Sequence, residues 1–256
     1  GATDWVLLHQ EAGQVGLPEP LLEATAAIPA LVEGGERDIV SAIAAGEARV
    51  SIAAHGGYAV DADRADRVLL VEDGAVFFLR EPELTPQPSI DGGRRLFAVR
   101  GSRDRLDCDA EGLLDRAALA ASAQLLGLGG RVLEMARSYA CERRQFGKAI
   151  GSFQAVQHHL VDAALKLEFA TPLVHRAAWS LQTGHSERSL HVSMAKIAAS
   201  EAATLACRKS LQVHGAIGYT FEFDLHLYMK RAWALAAAWG SPAEHRDRAA
   251  ARALGA

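Results

Sequence analysis

The sequence lacks the patterns that mark membrane, secreted and nucleic-acid-binding proteins. No apolar stretch reaches the roughly 18 residues that a membrane-spanning helix needs. The first residues show neither the charged region nor the apolar region of a secretory signal. A net charge of −4 and a pI near 6.2 do not favour nucleic-acid binding, which usually requires a basic face. The sequence therefore predicts a cytoplasmic protein with neither membrane nor nucleic-acid partners.

Cysteine is scarce. The three cysteines, Cys108, Cys141 and Cys207, are far apart and show none of the close spacings of a zinc site. An odd and sparse set of thiols fits a reducing compartment, where buried cysteines behave as small apolar residues. No metal site is predicted.

The chain has enough apolar residues for one large or two small domains: 256 residues, of which 50% are hydrophobic. Three stretches differ in pattern. Residues 1–46 are predicted to be a remnant helical domain that Pro18 and Pro20 interrupt. Residues 47–108 are predicted to be a reduced middle β domain, and residues 109–256 a helical bundle.

The middle stretch contains short segments rich in β-forming residues, at 49–53, 68–71 and 75–79. Asp73-Gly74, between the last two, predicts a hairpin, because glycine tolerates the positive φ that such turns need. Three prolines then predict an irregular crossing before a strand resumes at residue 95: Pro82, Pro86 and Pro88. A sheet of this size is marginal alone and must pack on helices.

From about residue 111, apolar residues recur every three or four positions, as in amphipathic helices. Ser152 and Ser186 stand where helix-capping side chains are expected. Ser241 and Glu244 have the spacing of a capping box, with Pro242 at the first helical position. The predicted fold is mostly α with a small β domain, and it ends in an antiparallel four-helix bundle.

Two strings carry more specific information. The first motif is YACERRQFG at residues 139–147, followed by IGSFQAVQH at 150–158. The second motif is QVHGAIGYT at residues 212–220, followed by DLHLY at 224–228. Together and in this order, they resemble the C-terminal bundle of the acyl-CoA dehydrogenase family. The resemblance is close over about 115–250 and loose over 1–110, and it implies the fold of that family.

The resemblance implies an FAD site shared between two chains. In the family, the arginine and glutamine of the first motif and the glutamine and glycines of the second reach the pyrophosphate and adenosine of FAD held by the opposite chain. A pyrophosphate needs a fixed guanidinium and N–H donors, and glycine lets the backbone approach closely. The implied cofactor-binding residues are Arg143, Gln145, Phe146, Gln212, Gly215 and Gly218.

Each of these residues alone has a simpler interpretation. An Arg-Arg pair at a helix end is usually a solvated cap, and Gly215 after a long helix is usually a C-cap. His214 alone indicates a packing histidine, and Phe146 and Phe153 are predicted to lie in the core. The joint occurrence of the two motifs favours the cofactor interpretation.

The residues for the family's chemistry are missing. The family reaction removes an α-proton from an acyl-CoA and transfers a hydride to flavin, which requires a carboxylate base. Where many members have a Tyr-Glu-Gly-Thr segment, this chain has Trp239 at the base position. At the alternative position, early in the first bundle helix, it has Ala117, and the nearest acid is Asp115. No catalytic residue is predicted, and residues 53–67 contain no loop resembling the one that holds the flavin ring.

In lacking these residues, the chain resembles the short subunit of the heteromeric α2β2 acyl-CoA dehydrogenases of actinobacterial sterol catabolism. The resemblance implies a longer partner subunit that supplies the catalytic Glu, the flavin-ring site and most of the acyl-CoA pocket. It also implies one FAD per heterodimer, an electron-transfer flavoprotein as acceptor, and an isolated chain that is inactive.

Two other functions stay open at this stage. One is a self-sufficient acyl-CoA dehydrogenase whose base is Glu142, Glu168 or Glu222. The other is a non-enzymatic scaffold relative, including the DNA-associated branch of the superfamily. Fewer than 50 residues precede the β stretch, where the family usually has about 100 or more, which fits either a naturally short or a trimmed chain.

Overall fold

A computed structural model describes residues 1–54, 56 and 58–254. The chain begins with three helices: α1 (Ala2–Val15), α2 (Leu21–Glu33) and α3 (Arg37–Ala44). Helix α1 ends at Gly16, which adopts the left-handed conformation with φ of 66°. Pro18 and Pro20 separate α1 from α2, as the sequence predicted. No helix among the described residues is both long and apolar enough to cross a bilayer.

Five strands close into a small barrel in the order β1-β2-β5-β4-β3. Their bounds are β1 (Val50–Ala54), β2 (Tyr58–Val60), β3 (Arg67–Glu72), β4 (Ala75–Gln87) and β5 (Leu96–Leu106). Only the β1–β3 pair is parallel among the described strands. Asp73 and Gly74, with φ of 49° and 72°, form the predicted two-residue hairpin between β3 and β4.

The predicted irregular crossing is wrong at Pro82 and Pro86, because β4 continues through both, but the chain is irregular from Pro88 until β5 begins at Leu96. The pairing of β4 with β5 shifts register between Arg80 and Glu83, and Glu81 has a positive φ of 44°, as at a β-bulge. Beyond Leu79, β4 pairs with β5 alone among the described strands. Its other edge therefore has no ladder that a proline would interrupt.

Five helices follow: α4 (Ala110–Glu142), α5 (Gln154–Gln182), α6 (Arg188–His214), α7 (Leu225–Ala237) and α8 (Pro242–Leu254). More than half of the residues of α6 are buried, and most of these are Ala or Ser. Because neighbours surround it, α6 has no single apolar face. Its small side chains let those neighbours approach closely, as where Gly129 of α4 meets Ala203.

One of the three predicted helix caps is present. Glu244 accepts a hydrogen bond from the Ser241 backbone N–H at 2.6 Å, and the Glu244 N–H donates to Ser241 Oγ at 3.3 Å, which completes the capping box. The predicted caps at Ser152 and Ser186 are wrong. The N-cap residues are Phe153 for α5 and Glu187 for α6, and Ser152 Oγ donates backwards to the Ala149 carbonyl.

The contacts group the chain into two compact units. One contains Gly1–Leu17 together with the residues from Ala121 onward, and the other contains Pro18–Ala120. The first helix thus belongs with the bundle, and the barrel belongs with α2, α3 and the first turns of α4. The domain boundaries at 46/47 and 108/109 stay predictions.

Two glycines allow α1 to lie directly against the backbone of α4. A methyl group on Gly13 would collide with the carbonyl oxygen of Gln124, and one on Gly127 would collide with the carbonyl oxygen of Gln10. One turn earlier in α1, the buried His9 ring accepts a hydrogen bond at Nδ1 from Gln124 Nε2 at 3.0 Å. Burial lowers the pKa of His9 to about 4, so the ring is neutral at physiological pH.

We expect Gly127→Ala to destabilise the protein by about 1–3 kcal/mol, because the added methyl must push α1 away from α4. Gly130→Ala is the matched control in the same helix. A methyl there meets only the end of the flexible Gln14 side chain, at 3.3 Å, so the usual helix preference for alanine should apply. Chemical denaturation of both variants measures the difference. Equal stability of the two would contradict the close contact.

We expect stability to fall by about 2 kcal/mol between pH 7.5 and pH 5 through His9 alone. Its pKa of about 4 in the folded state lies below the ordinary value of 6.5, so the unfolded chain takes up the proton first as the pH falls. The stabilisation is complete above about pH 6.5 and is lost as the pH falls through about 4. In His9→Gln, the loss of stability between pH 7.5 and pH 5, measured by denaturation, should be about 2 kcal/mol smaller than in the parent. An unchanged pH dependence would refute the assignment.

Candidate functional site

The fold brings the two motifs together through their aromatic residues. The Tyr139 ring, near the end of α4, stacks on the His214 ring at the end of α6, with centroids 4.7 Å apart and planes 25° apart. Phe223, just after the second motif, lies 4.7 Å from the same imidazole. Ala136, Ala140 and Val213 form the apolar core beside them. The ends of two helices distant in sequence thereby form one surface region of the bundle.

His214 acts as a packing residue in this region. Its Nδ1 donates to the Ser210 carbonyl at 2.7 Å, which fixes the tautomer of the neutral ring. Its Nε2 is buried without a hydrogen-bond partner among the described residues. Burial lowers the pKa of His214, and the bond to Ser210 opposes this effect. A neutral ring between aromatic neighbours agrees with the packing interpretation.

The first motif ends in a tight hairpin after α4. Strands β6 (Arg144–Gln145) and β7 (Lys148–Ala149) pair across a turn at Phe146 and Gly147, whose φ angles are 52° and 82°. The prediction that Phe146 lies in the core is wrong, because the side chain is 91% exposed at the hairpin tip. Its ring meets Phe153 edge-on with centroids 6.1 Å apart, and Phe153 itself is half-buried.

The polar residues of the two motifs are also exposed. Arg143 follows the last turn of α4 and Gln212 lies in the last turn of α6, and both side chains are open to solvent. Gln145 is exposed as well, with Nε2 donating to the Arg144 carbonyl at 2.8 Å. Whatever these side chains recognise must therefore approach from outside this face of the bundle.

Two glycines shape the second motif for different reasons. Gly215 ends α6 with φ of 63° and ψ of −137°, a conformation open essentially to glycine alone, and a Cβ there would meet nothing within 4 Å. Gly218 is buried, and a Cβ there would lie 3.0 Å from both His214 Cβ and Leu211 Cδ1. One glycine thus permits a backbone conformation beside open space, and the other permits close packing.

These residues form a donor set that suits a phosphate-bearing cofactor. A guanidinium and two carboxamides face solvent, and the backbone at Gly215 is accessible. Charge-assisted bonds from arginine to phosphate are among the strongest polar contacts in proteins. The residues present therefore fit the pyrophosphate of FAD.

The segment predicted to align with the family's base is held in place by buried polar residues. Trp239 is buried with a positive φ of 60°, and Gly240 follows with φ of 91°. His245 Nε2 donates to the Trp239 carbonyl at 2.9 Å, and its Nδ1 lies 3.1 Å from Ser193 Oγ. A side chain at Gly240 would strike the His245 ring, so the turn needs glycine at this position.

Lys196 completes this cluster from the middle of α6. Its Nζ donates to the carbonyls of Gly240 at 2.9 Å and Ala236 at 3.0 Å, and to Ser200 Oγ at 3.4 Å. The side chain is fully buried, and burial lowers its pKa to about 7. Lys196 thus ties the end of α7 and the following turn to the central helix. No sequence pattern pointed to Lys196 or His245, because a single lysine or histidine in a helical pattern does not indicate burial.

The other candidate base residues are either buried or on the exposed surface. Ala117 and Asp115 are both fully buried in the first turns of α4, within the unit formed by Pro18–Ala120. The alternative acids all lie on the surface: Glu142, Glu168 and Glu222. The stretch 53–67, predicted to lack a flavin-ring loop, contains His55 and Gly57, which lie outside the described residues.

Comparison with known proteins gives consistent matches. Residues 109–254 match the family model described as acyl-CoA dehydrogenase, C-terminal domain. Over 243 residues the chain is 32% identical to acyl-CoA dehydrogenase IpdE2 of Mycobacterium tuberculosis, covering 94% of this chain and 74% of that protein.

Two solved structures show the same fold. A Tcur3481–Tcur3483 steroid ACAD superposes with a TM-score of 0.90 at 20% identity, covering 100% of this chain and 82% of that one. The ChsE4–ChsE5 complex from Mycobacterium tuberculosis gives a TM-score of 0.87 at 23% identity, covering 100% and 81%.

The buried lysine leads to a pH prediction. Because the pKa of Lys196 is about 7 when folded and 10.5 ordinarily, the unfolded chain binds the proton more tightly between these values. The charged amine therefore lowers the stability of the folded state most below pH 7, and this effect shrinks as the pH rises towards 10.5. We expect a gain of about 2 kcal/mol in stability between pH 7 and pH 9 from this residue.

Denaturation of Lys196→Met and of Lys166→Met at the two pH values tests this. Lys166 is largely exposed, with its Nζ 4.0 Å from Glu201, and serves as the control for removing a lysine. The gain should vanish in Lys196→Met and persist in Lys166→Met. The same pH dependence in both variants would contradict the assignment.

Proposed function

Because the chain belongs to the acyl-CoA dehydrogenase family, we propose that it is the non-catalytic subunit of a heteromeric enzyme that desaturates an acyl-CoA thioester. A longer relative is the partner in an α2β2 tetramer and supplies the catalytic Glu and the flavin-ring site. The observation that carries this proposal is the segment around Trp239, which we align with the family's base. It contains a buried indole and a turn held by Lys196 and His245.

This chain contributes the binding of the adenosine and pyrophosphate half of FAD. The Arg143 guanidinium would hold the pyrophosphate, and the amides of Gln145 and Gln212 would add donors. The glycine backbone at Gly215 and Gly218 lets the cofactor approach closely. When bound, FAD supplies the hydride acceptor of the reaction. Supporting this role are the exposure of the three polar side chains and the open space at Gly215.

A protein partner is supported by exposed aromatic residues in and just after the two motifs. Phe146 is 91% exposed, and Tyr219 and Phe221 are 76% and 78% exposed. Large exposed apolar side chains beside polar ones are typical of interfaces. We propose that these rings pack against the longer subunit around the cofactor.

The substrate and the electron acceptor follow from the same assignment. The acyl-CoA lies mainly in the partner subunit, since this chain has no acid at the base positions. A steroid side chain carried on CoA is the proposed substrate class, supported by the fold match to a steroid ACAD. An electron-transfer flavoprotein is the proposed acceptor for the complete enzyme.

Expression of the chain alone and together with a candidate longer acyl-CoA dehydrogenase subunit tests the proposal. We expect colourless, inactive protein from the chain alone, and yellow, active α2β2 protein with one FAD per heterodimer from co-expression. A flavin-loaded and active homo-oligomer of this chain would sink the proposal and would favour a base among the exposed glutamates.

The role of Arg143 is tested in the co-expressed complex. Arg143→Gln should weaken FAD retention by about tenfold or more, because one charge-assisted contact to phosphate is lost. Arg144→Gln is the matched control, since Arg144 is the exposed neighbour in the same hairpin. Flavin fluorescence during dilution measures the release of FAD. Equal release of FAD from both variants would contradict the assignment of Arg143 to the cofactor site.

A further inference from the structure

The unit formed by Pro18–Ala120 contains a cavity of about 350 Å³ that the proposed function does not use. Its walls come from residues 18–20, the start of β1, residues 60–65 and the loop at 92–95. The volume falls at the lower end of the roughly 300–1,000 Å³ found for small-molecule sites. The cavity is thus large enough for a small metabolite.

Three arginines line this cavity: Arg49, Arg64 and Arg95. Arg95 is held in place by Asp61, at 3.1 Å from Nε, and Asp63, at 2.7 Å from Nη1. Its Nη2 is buried and has no hydrogen-bond partner within the described part of the chain. A buried guanidinium nitrogen without an acceptor is costly, and a ligand oxygen in the cavity would relieve that cost.

The other two guanidinium groups are free to bind a ligand. Arg49 and Arg64 are exposed at the cavity, and neither forms an ion pair with any described residue. The acidic residues of the lining are Glu19 and Asp61, and Asp61 is already paired with Arg95. Asp63, the second partner of Arg95, adds a third carboxylate beside the cavity, so Arg49 and Arg64 are the lining cations without a carboxylate partner among the described residues. Gly92 adds access, because nothing lies within 4 Å of where its Cβ would be.

We propose that this cavity binds the phosphate group of a small phosphorylated metabolite, with Arg49, Arg64 and the free Nη2 of Arg95 as its donors. A phosphate has three oxygens and up to two charges, which several guanidinium groups lining one cavity can contact together. A carboxylate, with two oxygens and one charge, is satisfied by a single arginine. The proposal does not depend on the FAD assignment, since it uses none of the residues of the two motifs.

The proposal is tested by measuring the binding of inorganic phosphate and of pyrophosphate. The protein used is the full chain, in complex with its partner subunit where the two co-purify. ³¹P NMR line broadening and titration calorimetry at constant ionic strength measure the affinity. Acetate provides the carboxylate comparison. We expect at least one of the two phosphate probes to bind, and acetate to bind more weakly. Because the proposed FAD half-site could also take pyrophosphate, only binding that Arg64→Gln weakens is assigned to the cavity. For that binding, pyrophosphate above phosphate would indicate a diphosphate-bearing ligand, and equal affinities would indicate a single phosphate group.

Arg64→Gln should weaken the binding by about tenfold to a hundredfold, as expected for loss of a charge-assisted contact. Arg100→Gln, at an exposed arginine of β5 outside the cavity, should leave it unchanged. Arg49→Gln gives a second variant if Arg64→Gln fails to fold, as judged by its thermal transition. Absence of binding by both phosphate probes at millimolar concentration would overturn the proposal. So would equal affinities in the cavity and control variants, or acetate binding as tightly as phosphate.

Discussion

Close packing around α6 is the constraint on which the rest of the bundle depends. Neighbouring helices can approach α6 on several sides because its buried residues are mostly Ala and Ser. The Ser210 hydroxyl donates to the Val132 carbonyl of α4 at 2.8 Å, so this buried polar side chain is satisfied by the neighbouring helix. With so little room, the packing fixes the positions of the buried side chains of this helix.

Two different regions contact α6 at positions far apart along the helix. Lys196 binds the turn after α7, and His214 anchors the aromatic contact with α4. Eighteen residues separate them, or about 27 Å at the rise of an α-helix. One rigid element thus spaces the locked turn at Trp239 from the exposed donors at the motif ends. The chain thus combines a buried cluster around Lys196 with an exposed, polar and aromatic surface near His214.

Much of this could be predicted from local chemistry. The Asp73-Gly74 turn and the capping box at Ser241 depend on backbone geometry that a few residues determine, and both are present. The family assignment likewise followed from two short motifs. Pro86 was misjudged because its tolerance depends on which strand edge is unpaired, which is a property of the whole barrel. Phe146, predicted to lie in the core, is exposed, and Lys196, which no sequence pattern singled out, is buried. Burial is decided by tertiary neighbours.

The two glycines of the second motif bear on how relatives of this chain should be compared. Gly215 ends the central helix in a conformation that other residues rarely adopt, and Gly218 has no room for a side chain. Both requirements arise from the folding of this chain alone and persist whether or not a nucleotide is bound. A relative that had lost all cofactor binding would therefore still retain them. Arg143 and Gln212 carry no such folding requirement, so their identity is the better marker for separating cofactor-binding homologues from purely structural ones.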